Sequence, residues 1–368
     1  MPPGDVATVE SLTATLHRVP LPRPWGPDRL DFHLVATTVT DSLGRAGHGF
    51  SWAPTVGGAA VHAMVVTDCA AAVRGLPAAP ELVWDRLWRH LHEAGGGGVT
   101  TLALAAVDTA LWDLRGVTTG LSLLDRLGRR RDSVPVYGSG VNRHYSLDEL
   151  VEQAGRWVAA GVGAVKVKVG LPDLDEDLER LAAVRRVIGD RRGLMVDANQ
   201  RWDLPAARRA VAAMRRFDLT WIEEPLLADD LRAHAALRRS IDVPVALGEN
   251  LHTVYQFREA LVLEACDIVQ PNVARVGGIT PFLRIAELAR AHGAVAAPHL
   301  LPDVSGLLAL CLPEETWVED VEDASFDALG VLERPAVTIA GGRLRAAAPE
   351  EPGLGLRLRF GAVAEPGD

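Results

Sequence analysis

Residues 164–170 read AVKVKVG and contain both lysines of the chain, Lys166 and Lys168. All other members of the Lys plus Arg total of 38 are arginine. In a β-strand, residues two positions apart point to the same face, which separates the lysines from the valines of the run. Two buried ammonium groups side by side lower the pKa of at least one, and lysine, unlike arginine, can be tuned in this way into a base. The alternative interpretation is a structural ion pair with carboxylates.

AVKVKVG is the second of eight short apolar runs, most of which are followed by an amphipathic helical pattern. Their starts are 21 to 30 residues apart, as in a repeating βα unit, and eight parallel strands close a barrel. In this barrel the valines face the helices and the lysines face inward. An open doubly wound sheet is disfavoured, because no Gly-rich phosphate fingerprint follows any strand. The runs are VPVYGSG, AVKVKVG, GLMVDANQ, LTWIEEP, VPVALGEN, DIVQPN, AVAAPH and ETWVED.

The segment before these runs has a different pattern. Residues 6–52 alternate apolar and polar positions, with a predicted hairpin turn at 41–44. Helical patterns follow at about 58–74, 80–93 and 99–115. The sequence therefore predicts an α+β unit in front of the barrel.

Composition excludes several classes of partner. The chain has 368 residues, a net charge of -10 and a pI near 5.6, which argues against nucleic acid or an anionic membrane as the main partner. Cys69, Cys266 and Cys311 are scattered without metal-type spacing, which favours a reducing compartment. The first residues lack the apolar core of a signal peptide, and Asp108 and Asp113 interrupt the longest apolar run. We expect a cytoplasmic protein.

Polar residues cluster at the carboxyl ends of six successive runs, the end of a βα barrel where active sites lie. Helix capping explains a single polar strand end, but not a repetition on six strands. The residues concerned are Asp197, Asn199, Glu223, Glu224, Glu249, Asn250, Asn272, His299, Glu319 and Asp320.

Three of these residues, Asp197, Glu223 and Glu249, supply a carboxylate from successive strands. Unpaired carboxylates that converge at one barrel mouth repel each other, and a hard divalent cation such as Mg²⁺ relieves that repulsion. The alternative is that each acid pairs with an arginine, although only Arg201 lies close in sequence. His299 ends the seventh run, across the barrel from the lysines, where a substrate carbon would lie between Lys and His.

The motifs AVKVKVG, VDANQ, WIEEP, GENLH, QPNVARVGGIT and APHLL together resemble the enolase superfamily, mandelate racemase subgroup. The similarity runs from about residue 100 to 356, and the first hundred residues are compatible with the capping domain of that family. The resemblance implies an α/β fold: a modified (β/α)7β TIM-like barrel at 126–325 with an N-terminal α+β capping domain at 1–125. The C-terminal segment, 326–368, would return to the capping domain and complete it.

The resemblance also implies roles for individual residues. Lys168 would be the base, and Lys166 would contact the substrate carboxylate and lower the pKa of Lys168. His299 would be an acid or base on the opposite face, and a protonated Glu319 would donate a hydrogen bond to the substrate carboxylate. The reaction is removal of a proton α to a carboxylate, with Mg²⁺, held by the three carboxylates above, neutralising the enediolate.

One position departs from the family pattern. Asn272 stands where the family usually has an Asp that orients the histidine and raises its basicity. An amide still orients an imidazole but adds no charge, so we expect His299 to be a weaker base and more often neutral. The alternative is that another acid, such as Asp303, replaces the missing charge. The chain also lacks the further lysine on the sixth strand expected of the muconate-lactonizing and dipeptide-epimerase subgroup.

Three functions compete. The first is a Mg²⁺-dependent lyase that dehydrates an acid sugar (aldonate or aldarate) to a 2-keto-3-deoxy acid. The second is a racemase or epimerase of a 2-hydroxy acid, which needs two competent bases, and Asn272 counts against it. The third is a non-catalytic ligand-binding barrel. The expected partner is a small-molecule carboxylate, and the family favours a homo-oligomer.

Substrate identity depends on side chains around the barrel mouth and on capping-domain loops near 25–31 and 50–58. Trp25 and Trp52 either shape a pocket or pack between domains. The other candidates for substrate binding are Lys166, Asn199, Glu319, Ser139, Arg201 and His252, with Asn142 and His144 close by.

Overall fold

The first unit is a three-stranded antiparallel sheet covered by helices. The computed structural model describes residues 7–26, 29–54, 56–348 and 350–360. The sheet has the order β1–β2–β3, with a turn between β2 and β3 where the hairpin is predicted. The strands of this sheet are β1 Val9–Pro20, β2 Asp31–Asp41 and β3 Ala46–Ala53. The helices of this unit are α1 Gly58–Met64, a π-helical turn Val65–Cys69, α2 Ala70–Val73, α3 Pro80–Leu91 with a 3₁₀ turn His92–Ala94, α4 Val99–Thr119 and α5 Leu123–Leu127.

Helix α4 packs directly on strand β3. A Cβ atom added at Gly47 would lie 2.3 Å from the carbonyl oxygen of Ala110, and one added at Gly49 would lie 2.2 Å from the nitrogen of Ala110. Because both neighbours are backbone atoms, only glycine permits this approach. The helix is buried on most of its surface, since its other side faces the barrel.

The second unit is the predicted eight-stranded parallel barrel. Hydrogen-bonded pairs run in the order β11–β4–β5–β6–β7–β8–β9–β10. The strands are β4 Val134–Ser139, β5 Ala164–Lys168, β6 Gly193–Asp197, β7 Leu219–Glu223, β8 Val245–Leu247, β9 Ile268–Val269, β10 Val295–Ala296 and β11 Val318–Val321.

Seven helices connect these strands in turn, and β11 is followed by turns that lead to β12, so the eighth helix is missing as expected. The valines of β5 belong to the core between strands and helices. The helices are α6 Leu147–Ala159, α7 Leu174–Ile188, α8 Leu204–Met214 with a 3₁₀ turn Arg215–Phe217, α9 Leu231–Arg238, α10 Val254–Val262, α11 Ile279–Ala291 and α12 Pro302–Cys311.

The C-terminal segment contacts both units. Strand β14 pairs antiparallel with β4 of the barrel, whereas Phe326 stacks on Phe32 of the first sheet with ring centroids 6.3 Å apart. The backbone nitrogen of Leu354 donates to Asp113 of α4 at 2.8 Å. The predicted domain limits at 125 and 325 stay predictions. The strands of this segment are β12 Leu332–Arg334, β13 Val337–Ala340, β14 Arg343–Ala346 and β15 Arg357–Leu358.

Of the helices that the structure describes, none combines the length and the apolar character needed to cross a membrane.

Candidate active site

The floor of the site is a layer of apolar side chains inside the barrel. Large side chains, such as Tyr137, Met195 and Trp221, and small alanines together fill the interior. Side chains two positions further along each strand point the same way and form the next layer toward the barrel mouth. The apolar layer consists of Tyr137, Ala164, Met195, Trp221, Ala246, Ile268 and Ala297. The layer above it contains Ser139, Lys166, Asp197, Glu223, Gly248, Gln270 and His299.

Asp197, Glu223 and Glu249 converge as the sequence predicts. One oxygen of each lies within 4.8 Å of those of the other two, and all three residues are buried. Burial is the largest influence on Glu223 and raises its pKa to about 8, opposed by Lys166. Three hard oxygen donors that disfavour each other's charge fit a divalent cation such as Mg²⁺.

Lys166 is almost completely buried, with 1% of its side chain exposed. Its Nζ atom lies 2.6 Å from Glu223 Oε1 and 2.7 Å from Glu319 Oε1. The Lys166 ammonium group thus contacts two protein carboxylates, and its contact with a substrate carboxylate stays a prediction.

Lys168 forms an ion pair with Asp197, and 12% of its side chain is exposed toward the mouth. Burial acts to lower the pKa of both lysines, but the surrounding carboxylates outweigh it and raise both pKa values. The charge of Lys166 acts to lower the pKa of Lys168, as predicted, but Asp197 and the other carboxylates outweigh this effect.

Glu319 lies between Lys166 and the loop after β10. Its Oε1 pairs with Lys166, and its Oε2 accepts from the backbone nitrogen of Leu300 at 3.2 Å. Burial opposes ionisation, but the charges of Lys166 and His299 lower the pKa of Glu319 to about 2. Glu319 is an acceptor in these contacts, and its donation of a hydrogen bond to a substrate carboxylate stays a prediction.

His299 and Asn272 are in contact, as predicted. The side-chain amide nitrogen of Asn272 lies 3.0 Å from His299 Nδ1, and His299 Nε2 lies 2.8 Å from Glu249 Oε2. Asp303 does not take the place of the missing acid. Its carboxylate accepts from the backbone nitrogen of Ala336 at 2.9 Å in the C-terminal segment, and burial raises its pKa to about 6.

Three of the other substrate-binding candidates lie near the carboxylates or at neighbouring strand ends. Asn199 lies at the mouth, with Nδ2 3.3 Å from Asp197 Oδ2 and 3.4 Å from Glu249 Oε1. Ser139 is buried at the end of β4, and Arg201 is exposed beside Gly170. These three residues surround the carboxylates or the strand ends next to them.

His252 lines a separate cavity between α3 and α10 together with Trp84, Trp88 and Tyr255. Its Nδ1 is 3.5 Å from Thr101 Oγ1. The use of His252 in substrate binding stays a prediction.

Trp25 and Trp52 both line a small apolar cavity between the first sheet and the loop after β10. Their rings meet edge to face with centroids 6.4 Å apart, and Leu300 and Leu301 form the opposite wall. The two tryptophans therefore shape a cavity and pack between the units at the same time. Residues 27, 28 and 55 of the two capping loops lie outside the described residues.

Asn142 has a supporting position. It is fully buried, its Oδ1 accepts from the backbone nitrogen of Lys168 at 3.0 Å, and its Nδ2 donates to Gln153 at 2.9 Å. Both polar ends of the Asn142 side chain are therefore engaged, and the residue supports the strand that carries the lysines. His144 is exposed and packs edge to face on Tyr145.

Sequence reasoning missed one residue that holds a metal-site carboxylate. Gln270 is fully buried and donates from Nε2 to Glu223 Oε2 at 2.6 Å. The signal for Gln270 was its period-two position directly after β9, two residues beyond Ile268 of the apolar layer. Asn250, one of the predicted polar strand ends, donates to Glu224 Oε2 at 2.7 Å, and the other oxygen of Glu224 is buried without a partner among the described residues.

Comparisons with known proteins agree with this geometry. Residues 149–362 match the family described as Enolase C-terminal domain-like. Residues 31–128 match the Mandelate racemase / muconate lactonizing enzyme, N-terminal domain.

Two curated relatives and one solved structure are among the most similar proteins. A 3,6-anhydro-alpha-L-galactonate cycloisomerase of Streptomyces coelicolor is 37% identical over 96% of this chain and 97% of its own length. An L-talarate/galactarate dehydratase of Salmonella typhimurium is 37% identical over 78% of this chain and 73% of its own. The L-talarate dehydratase of Polaromonas sp. JS666, complexed with Mg and L-glucarate, superposes with a TM-score of 0.86 at 37% identity, covering 96% of this chain and 95% of that one. The chain belongs to the mandelate racemase/muconate lactonizing enzyme family of the enolase superfamily.

Proposed function

We propose that this protein is a Mg²⁺-dependent lyase that dehydrates an acid sugar to a 2-keto-3-deoxy acid. The observation that carries the proposal is the buried carboxylate triad next to Lys168, the more exposed lysine of the pair. The similarity to dehydratases of acid sugars supports the substrate class.

Asp197, Glu223 and Glu249 are the residues that would hold the metal. Mg²⁺, when bound, supplies positive charge that stabilises the enediolate formed from the substrate carboxylate. The protein orients the carboxylate of Glu223 before metal or substrate binds. Gln270 and Lys166 each donate a hydrogen bond to one of its two oxygens.

Lys168 accepts the α-proton in this proposal as a neutral amine, because its Nζ atom lies at the mouth whereas Lys166 is enclosed. A cation held by Asp197, Glu223 and Glu249 would offset the carboxylate charge that raises the pKa of Lys168. The α C–H bond and the β C–O bond of the substrate break, a C=C bond forms, and the proton and the hydroxide leave together as one water. The enol product then tautomerises to the 2-keto acid. Lys166 acts as the buried charge that positions Glu223 and Glu319, and Asn199 is placed to bind a substrate hydroxyl.

A second candidate uses the same elimination. If the β-oxygen of the substrate belongs to a ring, breaking the C–O bond opens that ring and the product is an isomer. The cycloisomerase relative, which matches this chain over nearly the full length of both, favours this candidate. A racemase is disfavoured because it needs a base on both faces, and Asn272 does not increase the basicity of His299.

The remaining proposals concern the setting of the enzyme. Cys69, Cys266 and Cys311 are buried free thiols, which supports a reducing compartment such as the cytoplasm. We place the protein there, with a small carboxylate as its partner and a homo-oligomer as its assembly state. Size-exclusion chromatography with light scattering tests the last point, and a monomeric mass would contradict it.

The function is tested by incubating the Mg²⁺-loaded protein in D₂O with acyclic aldonates, aldarates and their cyclic anhydro or lactone forms. A 2-keto acid that is one water lighter than its substrate supports dehydration, and a keto acid of unchanged mass supports ring opening. Deuterium exchange that scrambles the α-centre without keto acid would overturn both in favour of a racemase. Absence of any exchange across the panel despite Mg²⁺ binding would favour a binding protein.

The role of Lys168 is tested in the same assay. Because a positioned general base contributes about 10²- to 10⁴-fold, we expect Lys168→Ala to reduce α-exchange by at least that range. Arg215→Ala, which removes an exposed cation paired with Asp242 after α8, is the control for nonspecific loss of charge. Substantial α-exchange in Lys168→Ala would reject this residue as the base.

A further inference from the structure

The amide of Asn272 has one orientation. Its Oδ1 lies 3.0 Å from the backbone nitrogen of Ala274 and 3.2 Å from that of Arg275. Backbone N–H groups only donate, so both need the oxygen and not the NH₂ group. These two contacts identify the amide ends by their partners. The NH₂ group is left facing His299 Nδ1 at 3.0 Å.

An amide NH₂ group donates hydrogen bonds and does not accept them, so His299 Nδ1 is the acceptor in this contact. A neutral imidazole carries one proton, which is therefore on Nε2.

We propose that Asn272 is a positioning residue that holds His299 in the tautomer protonated at Nε2, so that His299 donates a hydrogen bond to the substrate and does not act as a second base. The inference rests on the proposed function and deepens it. It states that the α-proton is removed from one face only, the face of Lys168.

The chemical reason is the direction of the imidazole lone pair. A base on the His299 side needs a lone pair on Nε2, the ring nitrogen that faces the carboxylates. In this structure the lone pair is on Nδ1 and is occupied by the NH₂ group of Asn272. If the proton moved to Nδ1, the Nδ1–H group of His299 and the NH₂ group of Asn272 would face each other as two donors without an acceptor, and Asn272 is fully buried. His299 therefore keeps its proton and offers an Nε2–H hydrogen bond to the substrate.

The tautomer is measured by nitrogen NMR of the full chain labelled at histidine with ¹⁵N, with His299→Gln used to assign the signals. We expect a protonated, pyrrole-type Nε2 and an unprotonated, pyridine-type Nδ1 in the wild-type protein. Asn272→Asp should reverse this pattern, because an aspartate accepts from Nδ1–H as well as from the two backbone N–H groups. A protonated Nδ1 with an unprotonated Nε2 in the wild type would overturn the proposal, and this measurement does not depend on the folding of any variant.

Deuterium exchange gives a second test. With pairs of substrates epimeric at the α-carbon, the wild type should exchange only the epimer that presents its α-hydrogen to Lys168. Asn272→Asp should raise exchange of the other epimer by at least about tenfold, as expected when a general base is restored. Equal exchange of both epimers by the wild type would overturn the one-face proposal. If neither epimer exchanges and no keto acid forms, the proposed function fails, while the NMR result still decides the tautomer.

Discussion

At the scale of single residues, the side chains of the site orient one another by hydrogen bonds and ion pairs to carboxylate oxygens. Glu223 illustrates this, because Lys166 binds one of its oxygens and Gln270 the other, both at 2.6 Å. A metal ligand with both oxygens engaged in this way has a defined orientation, and its affinity for the cation depends on the residues behind it.

Gln270→Ala tests this dependence. The substitution leaves a buried oxygen of Glu223 without its donor, so we expect Mg²⁺ affinity to fall by about 10- to 100-fold, the usual range for hydrogen-bond partners of metal ligands. Isothermal titration calorimetry measures the affinity. Gln256→Ala is the matched control, because Gln256 caps α10 outside the carboxylate cluster. Equal Mg²⁺ affinity in both variants would show that Gln270 has no such role.

The sequence was sufficient to predict which acidic residues meet in the site, but not the charge states of the site residues. Asp197, Glu223 and Glu249 come together as predicted, because the carboxyl ends of parallel strands meet at one end of a barrel. The pKa values of Glu319 and of the two lysines depend on which charges lie within a few ångströms, and the sequence does not give those neighbours. Those distances come from residues far apart in the chain.

At the scale of elements, α4 connects the units. It packs on β3 at one side, and at the other side Asp108 accepts from the backbone nitrogen and the hydroxyl of Thr280 in α11, at 2.9 and 2.6 Å. Asp113 of the same helix accepts from the backbone nitrogens of His48 and Leu354, both at 2.8 Å. A single helix thus binds the first sheet, the barrel and the C-terminal segment.

Two glycine substitutions test the packing of the elements. Gly49→Ala would bring a Cβ atom to 2.2 Å from the Ala110 nitrogen, and we expect a loss of roughly 1–3 kcal/mol or more from overpacking. Gly155→Ala is the control, because this helical position in α6 has no heavy atom within 4 Å of an added Cβ. There we expect a gain of about 0.5–1 kcal/mol. Thermal or chemical unfolding measures both, and a stable Gly49→Ala variant would contradict the close helix–strand approach.

Asp108 makes stability depend on pH. Burial raises its pKa from 3.8 to about 7. Between these values the folded state keeps a proton that the unfolded state has lost, so stability falls as pH rises. Protonated Asp108 makes its full contribution to the free energy of unfolding below pH 3.8, the unfolded pKa. That contribution falls by about 1.4 kcal/mol per pH unit between this value and about pH 7, and does not change further above it.

The measurement compares wild-type and Asp108→Asn unfolding free energies from about pH 5 to about pH 8. Asn cannot ionise, so the wild type should lose stability relative to the variant as pH rises toward 7. Parallel stability curves for the two proteins would show that Asp108 is already ionised at the lower pH.

At the scale of the whole molecule, the cluster of buried acids links metal binding to folding. Unfolding separates Asp197, Glu223 and Glu249, so a cation bound by all three binds only the folded state. Such a ligand stabilises the fold by about 2.7 kcal/mol at a concentration one hundred times its dissociation constant.

We therefore expect Mg²⁺ to raise the melting temperature and EDTA to reverse the effect, as followed by calorimetry. Glu249→Gln should remove most of the Mg²⁺-dependent increase, because it takes away one of the three anionic donors. Glu81→Gln is the control, since Glu81 pairs with Arg115 on α4, away from the metal cluster. An increase that is the same in both variants would mean that Mg²⁺ stabilises the protein elsewhere.

The sequence by itself determined the barrel, its inward lysines and outward valines, the preceding α+β unit and the carboxylates at the strand ends. These features follow from periodicity of two along strands and from the rule that strand ends of a barrel converge. Only the tertiary structure decided which atoms pair: Lys166 with Glu223 and Glu319, and the amide of Asn272 with His299. It also decided that His252 lines a separate cavity. The physical reason is that strand register and the direction of each loop bring residues from distant parts of the chain together, and no local pattern encodes those distances.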